Sequence, residues 1–152
     1  MSQSHAFEPP RMEMDKLAPE AYRAMAAFDR SITLDPALRE LVKLRASILN
    51  GCAYCVDMHT QVARKKGETE QRLYAVSTWH EAPFFTDRER AALLLTDAVT
   101  RIEGRVPRET WDEAAKHFPP EELAQLVWAI TAINAWNRMA VTVRSLPGVF
   151  KP

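Results

Sequence analysis

Glycine is scarce in this chain, with four in 152 residues. Strand signals are scarcer still, since no run of Val, Ile and Thr alternates with period two. Together these absences exclude a sheet-based fold; ten prolines punctuate the chain instead, and the expected class is all-α. Net charge is missing too: twenty Lys and Arg balance twenty Asp and Glu, so nothing electrostatic draws the chain to nucleic acid or an anionic membrane. No stretch approaches the roughly eighteen apolar residues of a membrane span. The N-terminal stretch MSQSHAFEPPRMEMDK lacks the apolar segment of a secretory leader, so the expected location is cytoplasmic. Cysteine is limited to two residues. In a reducing compartment a lone vicinal pair points to catalysis or metal binding rather than a permanent staple.

What is present fits one helical domain. Hydrophobic residues make up 47% and charged residues 26%, which excludes disorder over the whole length. Residues 1–14 are polar with Pro9 and Pro10 and read as an extended arm; residues 15–152 read as a single domain of about six to seven helices. One helix starts near Pro19. Asp35 and Pro36 are an N-cap and first helical residue, and Gly51 closes the helix they open. The next helix runs from about Cys52 to Gly67, and a short one from Thr69 through Trp79. Thr86 and Glu89 form a capping-box pattern before a helix that stops at Gly104. Pro107 opens another, and Pro119-Pro120 starts the last. That last helix is apolar around most of its circumference, which predicts a central helix or a subunit contact. Trp128, Ile133, Trp136 and Met139, with Trp111, Phe84 and Phe85, are expected to form an apolar surface wider than one small domain needs, the alternative being that they fill the core of the monomer.

The chemistry concentrates in NGCAYCVDMH, residues 50–59. Haem attachment requires a histidine directly after the second cysteine, and Val56 stands there. Structural zinc requires four ligands, whereas Cys52, Cys55 and His59 supply three. A three-ligand zinc site, two buried core cysteines, and a dithiol redox pair all stay open, and the dithiol reading has the strongest physical case. A helix start favours thiolate through its free amides and dipole. The spacing of three puts both sulfurs on one face, where a short disulfide can close. His59 lies one turn beyond Cys55 on that face and can exchange a thiol proton. Cys52, at the helix mouth, is expected to lie nearer solvent. If the two helices meeting at Asn50-Gly51 form an antiparallel hairpin, ten residues of rise, about 15 Å, bring Glu40 level with His59 to Val62. Glu40 can then hold the His59 tautomer, or else simply favour its own helix dipole.

The stretch ELVKLRASILNGCAYCVDMHTQVARKKGE resembles the core motif of the alkyl hydroperoxidase D and carboxymuconolactone decarboxylase family. That motif is a glutamate, eleven residues, Cys-x-x-Cys, three residues and a histidine, and Glu40, Cys52, Cys55 and His59 match every position. The resemblance implies an all-helical fold, homo-oligomers, often trimers or hexamers, and thiol peroxidase or disulfide reductase activity; such a dithiol cycle requires no metal, flavin or haem. It further implies Cys55 as the peroxidatic thiolate, Cys52 as proton donor and resolving thiol, and Glu40 and His59 as a proton relay. The partners it implies are a hydroperoxide and an external dithiol of the dihydrolipoamide or thioredoxin kind. Decarboxylase relatives lack the cysteine pair. One departure is Tyr54, where the best-studied type has a second histidine. A phenol cannot shuttle protons at neutral pH as imidazole does, but it can donate a hydrogen bond to a peroxide oxygen.

Three further residues carry weaker expectations. His80, with Trp79, Phe84 and Phe85 around it, is a candidate for a substrate pocket, the alternative being a loop that packs its aromatics on the core. His117 reads as a surface residue. Arg45 interrupts an apolar face as a buried ion-pair or interface residue. The rival functions are a ring-opening or decarboxylating lyase on the same fold and a redox-sensing oligomer without turnover.

Overall fold

Asp35 and Pro36 start the helix on which the rest is built. The Asp35 carboxylate accepts a hydrogen bond from the Leu38 amide at 2.9 Å, and Pro36 has no amide to leave unpaired. In this computed structural model, which describes residues 8–152, eight α-helices occur and no strand is found among the described residues. They are α1 (Met14–Leu17), α2 (Pro19–Ser31), α3 (Pro36–Leu49), α4 (Ala53–Lys65), α5 (Glu70–Ala75), α6 (Asp87–Thr100), α7 (Arg108–His117) and α8 (Pro120–Val143). The all-α expectation holds, with one helix more than six or seven. The addition is α1, a single turn with no buried residue, too short to show an apolar period.

The expected arm over residues 1–14 falls partly on residues 1–7, which lie outside the described residues. Residues 8–13 are not helical. Arg11 ties them to the end of α8: its amide donates to the Val143 carbonyl at 2.8 Å and its guanidinium to the Thr142 carbonyl at 3.1 Å. Glu8 pairs with Arg144. At the other end of the helical order, Thr86 and Glu89 form the anticipated capping box. The helix after it stops at Thr100, and Gly104 ends a separate 3-10 turn over Ile102–Gly104.

Helix α3, not α8, is the centre. It packs against α4, α6 and α8, and nine of its fourteen residues are buried. Leu38 and Val42 join Leu126 and Ile130 of α8 and Leu95 of α6 in one cluster. Leu41 and Leu44 join Leu73, Val76, Trp79 and Leu93 in a second. Three of the buried α3 residues are charged, and each is paired. Glu40 meets His59 and Lys66, Lys43 meets Asp29, and Arg45 meets Asp97. Burial of a charge is tolerated only with such partners.

The wide apolar surface expected around α8 is smaller than its sequence suggests. Ile133 is fully enclosed in the core, and Phe85 is buried as well. Trp136 and Trp128 stack edge-on with Tyr22 and Phe28 of α2, each pair with ring centroids 5.4 Å apart. Trp128 nonetheless keeps 51% of its surface exposed, and Trp111 and Phe84 are exposed too.

Candidate functional site

The site grows from the turn between α3 and α4. Gly51 takes a φ of +65° there, a left-handed conformation that side-chained residues rarely adopt. Asn50 anchors the turn to α8, donating from Nδ2 to the side-chain oxygens of Asn134 and Asn137 at 2.9 Å each. Asn137 returns to α3 by donating to Ser47 Oγ at 3.0 Å. Ser47 in turn accepts, at its carbonyl, the amide of Cys52 at 3.0 Å. The first cysteine is thus positioned from both sides. Two asparagines one turn apart in the largely apolar α8 were the sequence signal for this anchor.

Cys52 is the N-cap of α4, and its sulfur accepts a hydrogen bond from the Cys55 amide at 3.3 Å. The two cysteines are paired as a disulfide with Cα atoms 5.3 Å apart. This agrees with the helix-start and one-face expectations. The expectation that Cys52 lies nearer solvent does not hold. Cys52 is 1% and Cys55 2% exposed, because Ala140 of α8 and the ring of Tyr54 close over both.

Glu40 reaches the site from the other helix of the hairpin. Its Oε2 lies 2.9 Å from His59 Nδ1, and its Oε1 accepts from Lys66 Nζ at 3.0 Å. Burial pushes the Glu40 carboxyl up, but the hydrogen bonds and charges of His59 and Lys66 outweigh it and hold the group at about 2, below its ordinary 4.5. Glu40 is therefore an anion at neutral pH, fixed to accept a proton from His59 Nδ1. That bond leaves Nε2 as the free ring nitrogen. It has no protein partner, yet no buried side-chain nitrogen or oxygen lacks one among the described residues, so Nε2 faces open space. The space is a cavity of about 240 Å³ lined by Cys55, His59, Met58, Tyr54, Tyr22 and Trp136 among others. Lys66 was not anticipated. It stands at the end of α4, outside the motif, and only the antiparallel packing of α3 on α4 brings it to Glu40.

Of the two weaker candidates, Tyr54 is at the sulfurs and His80 is not. Burial raises the Tyr54 phenol above its ordinary 10, with the Tyr22 phenol and Asp57 carboxylate adding to it, so it remains a hydrogen-bond donor. His80 stacks on Trp79 and pairs through Nε2 with Asp97 at 3.0 Å. Asp97 also takes Arg45 Nε at 2.6 Å and Trp79 Nε1 at 3.2 Å, so this group is an ion-pair anchor between α3 and α6. Arg45 is thereby the buried ion-pair residue expected as one alternative. His117 is half-buried beside Glu113, its ring nitrogen 3.3 Å from the carboxylate. No group of three or more His, Cys, Asp or Glu is placed to hold a metal ion among the described residues. No helix among them is long and apolar enough to cross a membrane.

Comparison with known proteins fits this geometry. The sequence model of the carboxymuconolactone decarboxylase family matches residues 19–98, which include Glu40, both cysteines and His59. The uncharacterized protein YdfG of Bacillus subtilis is 39% identical over 88% of this chain and 93% of its own length. A crystal structure of ATU0492 from Agrobacterium tumefaciens, a protein of unknown function suggested to be the antioxidant defence protein AhpD, superposes with a TM-score of 0.90 at 42% identity. That match covers 93% of this chain and all of the other. The debrominase Bmp8, solved as a C82A variant with 2,3,4-tribromopyrrole, shares the fold with a TM-score of 0.79 at 20% identity, covering 90% of this chain and 74% of its own.

Proposed function

We propose that this chain, which belongs to the alkyl hydroperoxidase D-like, carboxymuconolactone decarboxylase family, is a thiol peroxidase that reduces organic hydroperoxides through Cys52 and Cys55. The observation that carries the reading is the line Glu40–His59 ending on the cavity that Cys55 also faces. Glu40 fixes the tautomer with the proton on Nδ1, so Nε2 can take the Cys55 thiol proton. The Cys55 thiolate attacks the outer peroxide oxygen, the O–O bond breaks, and the alkoxide leaves as an alcohol with the proton that His59 returns. Cys55 is now a sulfenic acid. The Cys52 thiol attacks that sulfur and loses its proton, hydroxide departs as water, and the disulfide closes. An external dithiol of the dihydrolipoamide or thioredoxin kind restores both thiols with two electrons and two protons. Tyr54 donates a hydrogen bond to a peroxide oxygen instead of moving a proton.

Consumption of tert-butyl hydroperoxide with dihydrolipoamide or thioredoxin as electron donor tests the reading. Turnover that stops on alkylation of the thiols supports it, and no turnover with any dithiol donor overturns it. A lyase on the same fold is the second reading. Arg30 favours it, because this exposed residue borders the 240 Å³ cavity and would be a candidate to bind an anionic substrate. Lyase activity would survive thiol alkylation. We further propose that the protein works in the cytoplasm as a homo-oligomer, a trimer or hexamer; the exposed Trp128 and Trp111 support burial between copies.

A further inference from the structure

Two cavities reach the cysteine pair, and each is lined by a different cysteine. Cys55 and His59 line the 240 Å³ cavity, and Cys52 is not among its lining residues. Cys52 lines a second cavity of about 540 Å³, walled by Ala53, Val141, Leu146 and Arg144. Tyr54 and Ala140 line both and form the partition between them. We propose that the two cavities divide the redox cycle: hydroperoxide enters at Cys55, and the reducing dithiol enters at Cys52. This rests on the peroxidase reading above and assigns the route of its reductant.

The argument is stereochemical. Displacement at sulfur runs in line, with the attacking and leaving atoms on opposite sides of the sulfur attacked. When Cys52 attacks the Cys55 sulfenic acid, hydroxide must leave on the far side of Cys55 from Cys52, and the cavity that Cys55 lines with His59 is one that Cys52 does not line. When a thiolate attacks the disulfide at Cys52, it must arrive from the far side of Cys52 from Cys55, and the larger cavity is lined by Cys52 without Cys55. A mixed disulfide then forms on Cys52, and Cys55 leaves as a thiolate that takes its proton from His59 or solvent. The second thiol of the reductant attacks its own sulfur in the mixed disulfide, releases the Cys52 thiolate, and closes the reductant's disulfide. Attack at Cys55 instead would expel the Cys52 thiolate, away from the imidazole.

The larger cavity also specifies the reductant. Cys52 is 1% exposed, so the donor thiol must enter the cavity to reach it. The charged residues that line the cavity, Glu8 and Arg144, pair with each other. An uncharged aliphatic dithiol fits this lining; a highly charged thiol such as glutathione has no partner there and lacks the second sulfur.

The locus of attack can be read directly. The disulfide is formed with diamide, so that the result does not depend on peroxidase activity. Excess 2-mercaptoethanol is added, free thiols are blocked with N-ethylmaleimide, and the peptide holding both cysteines is sequenced by tandem mass spectrometry. The adduct is expected on Cys52 with the maleimide on Cys55; the reverse overturns the proposal. Where the adduct is too short-lived to trap, Val141→Trp, which fills the larger cavity, is compared with Met58→Trp, which fills the smaller. Val141→Trp should slow disulfide reduction by dihydrolipoamide about 10²-fold, the cost of displacing a reacting group by an ångström. Met58→Trp should instead slow oxidation of the dithiol by hydroperoxide. Slowed reduction in Met58→Trp with none in Val141→Trp overturns the assignment. Failure of hydroperoxide to oxidise the dithiol at all removes the peroxidase reading and leaves the adduct's position to decide the route.

Discussion

Glu40 and His59, nineteen residues apart in the chain, meet with Oε2 and Nδ1 2.9 Å apart. The contact fixes which imidazole nitrogen faces the sulfur cavity. Glu40→Gln and His59→Asn should therefore each lower peroxide turnover by about 10²–10⁴-fold, the usual worth of a positioned acid–base group. The double variant should lose little more than either single one, because both residues serve one relay. Steady-state kinetics of the three variants checks this; multiplicative losses would contradict it.

The same carboxylate sets a pH dependence of stability. Glu40 stands at about 2 in the folded protein against an ordinary 4.5. A depressed carboxylate stabilises the fold fully above its unfolded value and loses that contribution as pH falls from 4.5 toward 2. The shift corresponds to on the order of 3 kcal/mol. Urea unfolding of the native protein should weaken by roughly this amount across the window. In Glu40→Gln that part of the acid dependence should vanish.

The two sulfurs should separate by role. Cys55→Ser should abolish peroxide reduction, and Cys52→Ser should leave a sulfenic acid on Cys55 that dimedone labels, since the resolving thiol is gone. Equal burial of the two sulfurs means that exposure does not assign these roles; the sharing of a cavity by Cys55 and His59 does. Dimedone labelling of Cys52 in Cys55→Ser, with none in Cys52→Ser, would reverse the assignment.

Much of this site was legible because its signals are local. The caps at Asp35 and Thr86 and the cysteines at the start of α4 follow from residues within one turn of each other. Glu40 was placed beside His59 from one further premise, that the Asn50-Gly51 turn folds two helices back on each other. What stayed hidden depends on packing between distant segments. Lys66 on Glu40, Asn137 on Ser47 and Ala140 over the sulfurs have no spacing that announces them. The same limit misjudged Ile133 as surface, since an apolar side chain reads alike whether it faces the core or a partner. It also hid the partner of His80, because Asp97 lies seventeen residues away in sequence.

The Arg45–Asp97 pair should prove structural. Asp97 is the shared acceptor for Arg45, Trp79 and His80, and Arg45 also donates to the Ser77 carbonyl at 3.0 Å. Asp97→Ala leaves a buried guanidinium without its counter-ion and should cost about 3–5 kcal/mol. Arg45→Met combined with Asp97→Leu should recover part of that loss. Urea denaturation checks both. Cysteine reactivity toward hydroperoxide should be unchanged in whatever fraction stays folded.

Assembly has its own test. Sedimentation equilibrium at micromolar concentration should give a multiple of 17.3 kDa, and Trp128→Glu should shift the population toward the monomer. A clean 17.3 kDa species in the unaltered protein would remove the oligomer.

The central claim is that a hydroperoxide oxidises this cysteine pair by a two-electron cycle. Intact-protein mass spectrometry of the fully reduced protein, before and after one equivalent of tert-butyl hydroperoxide, tests it most directly. The account predicts a loss of two hydrogens and protection of both Cys52 and Cys55 from iodoacetamide, reversed by dihydrolipoamide. An unchanged mass with both cysteines still alkylated would contradict it.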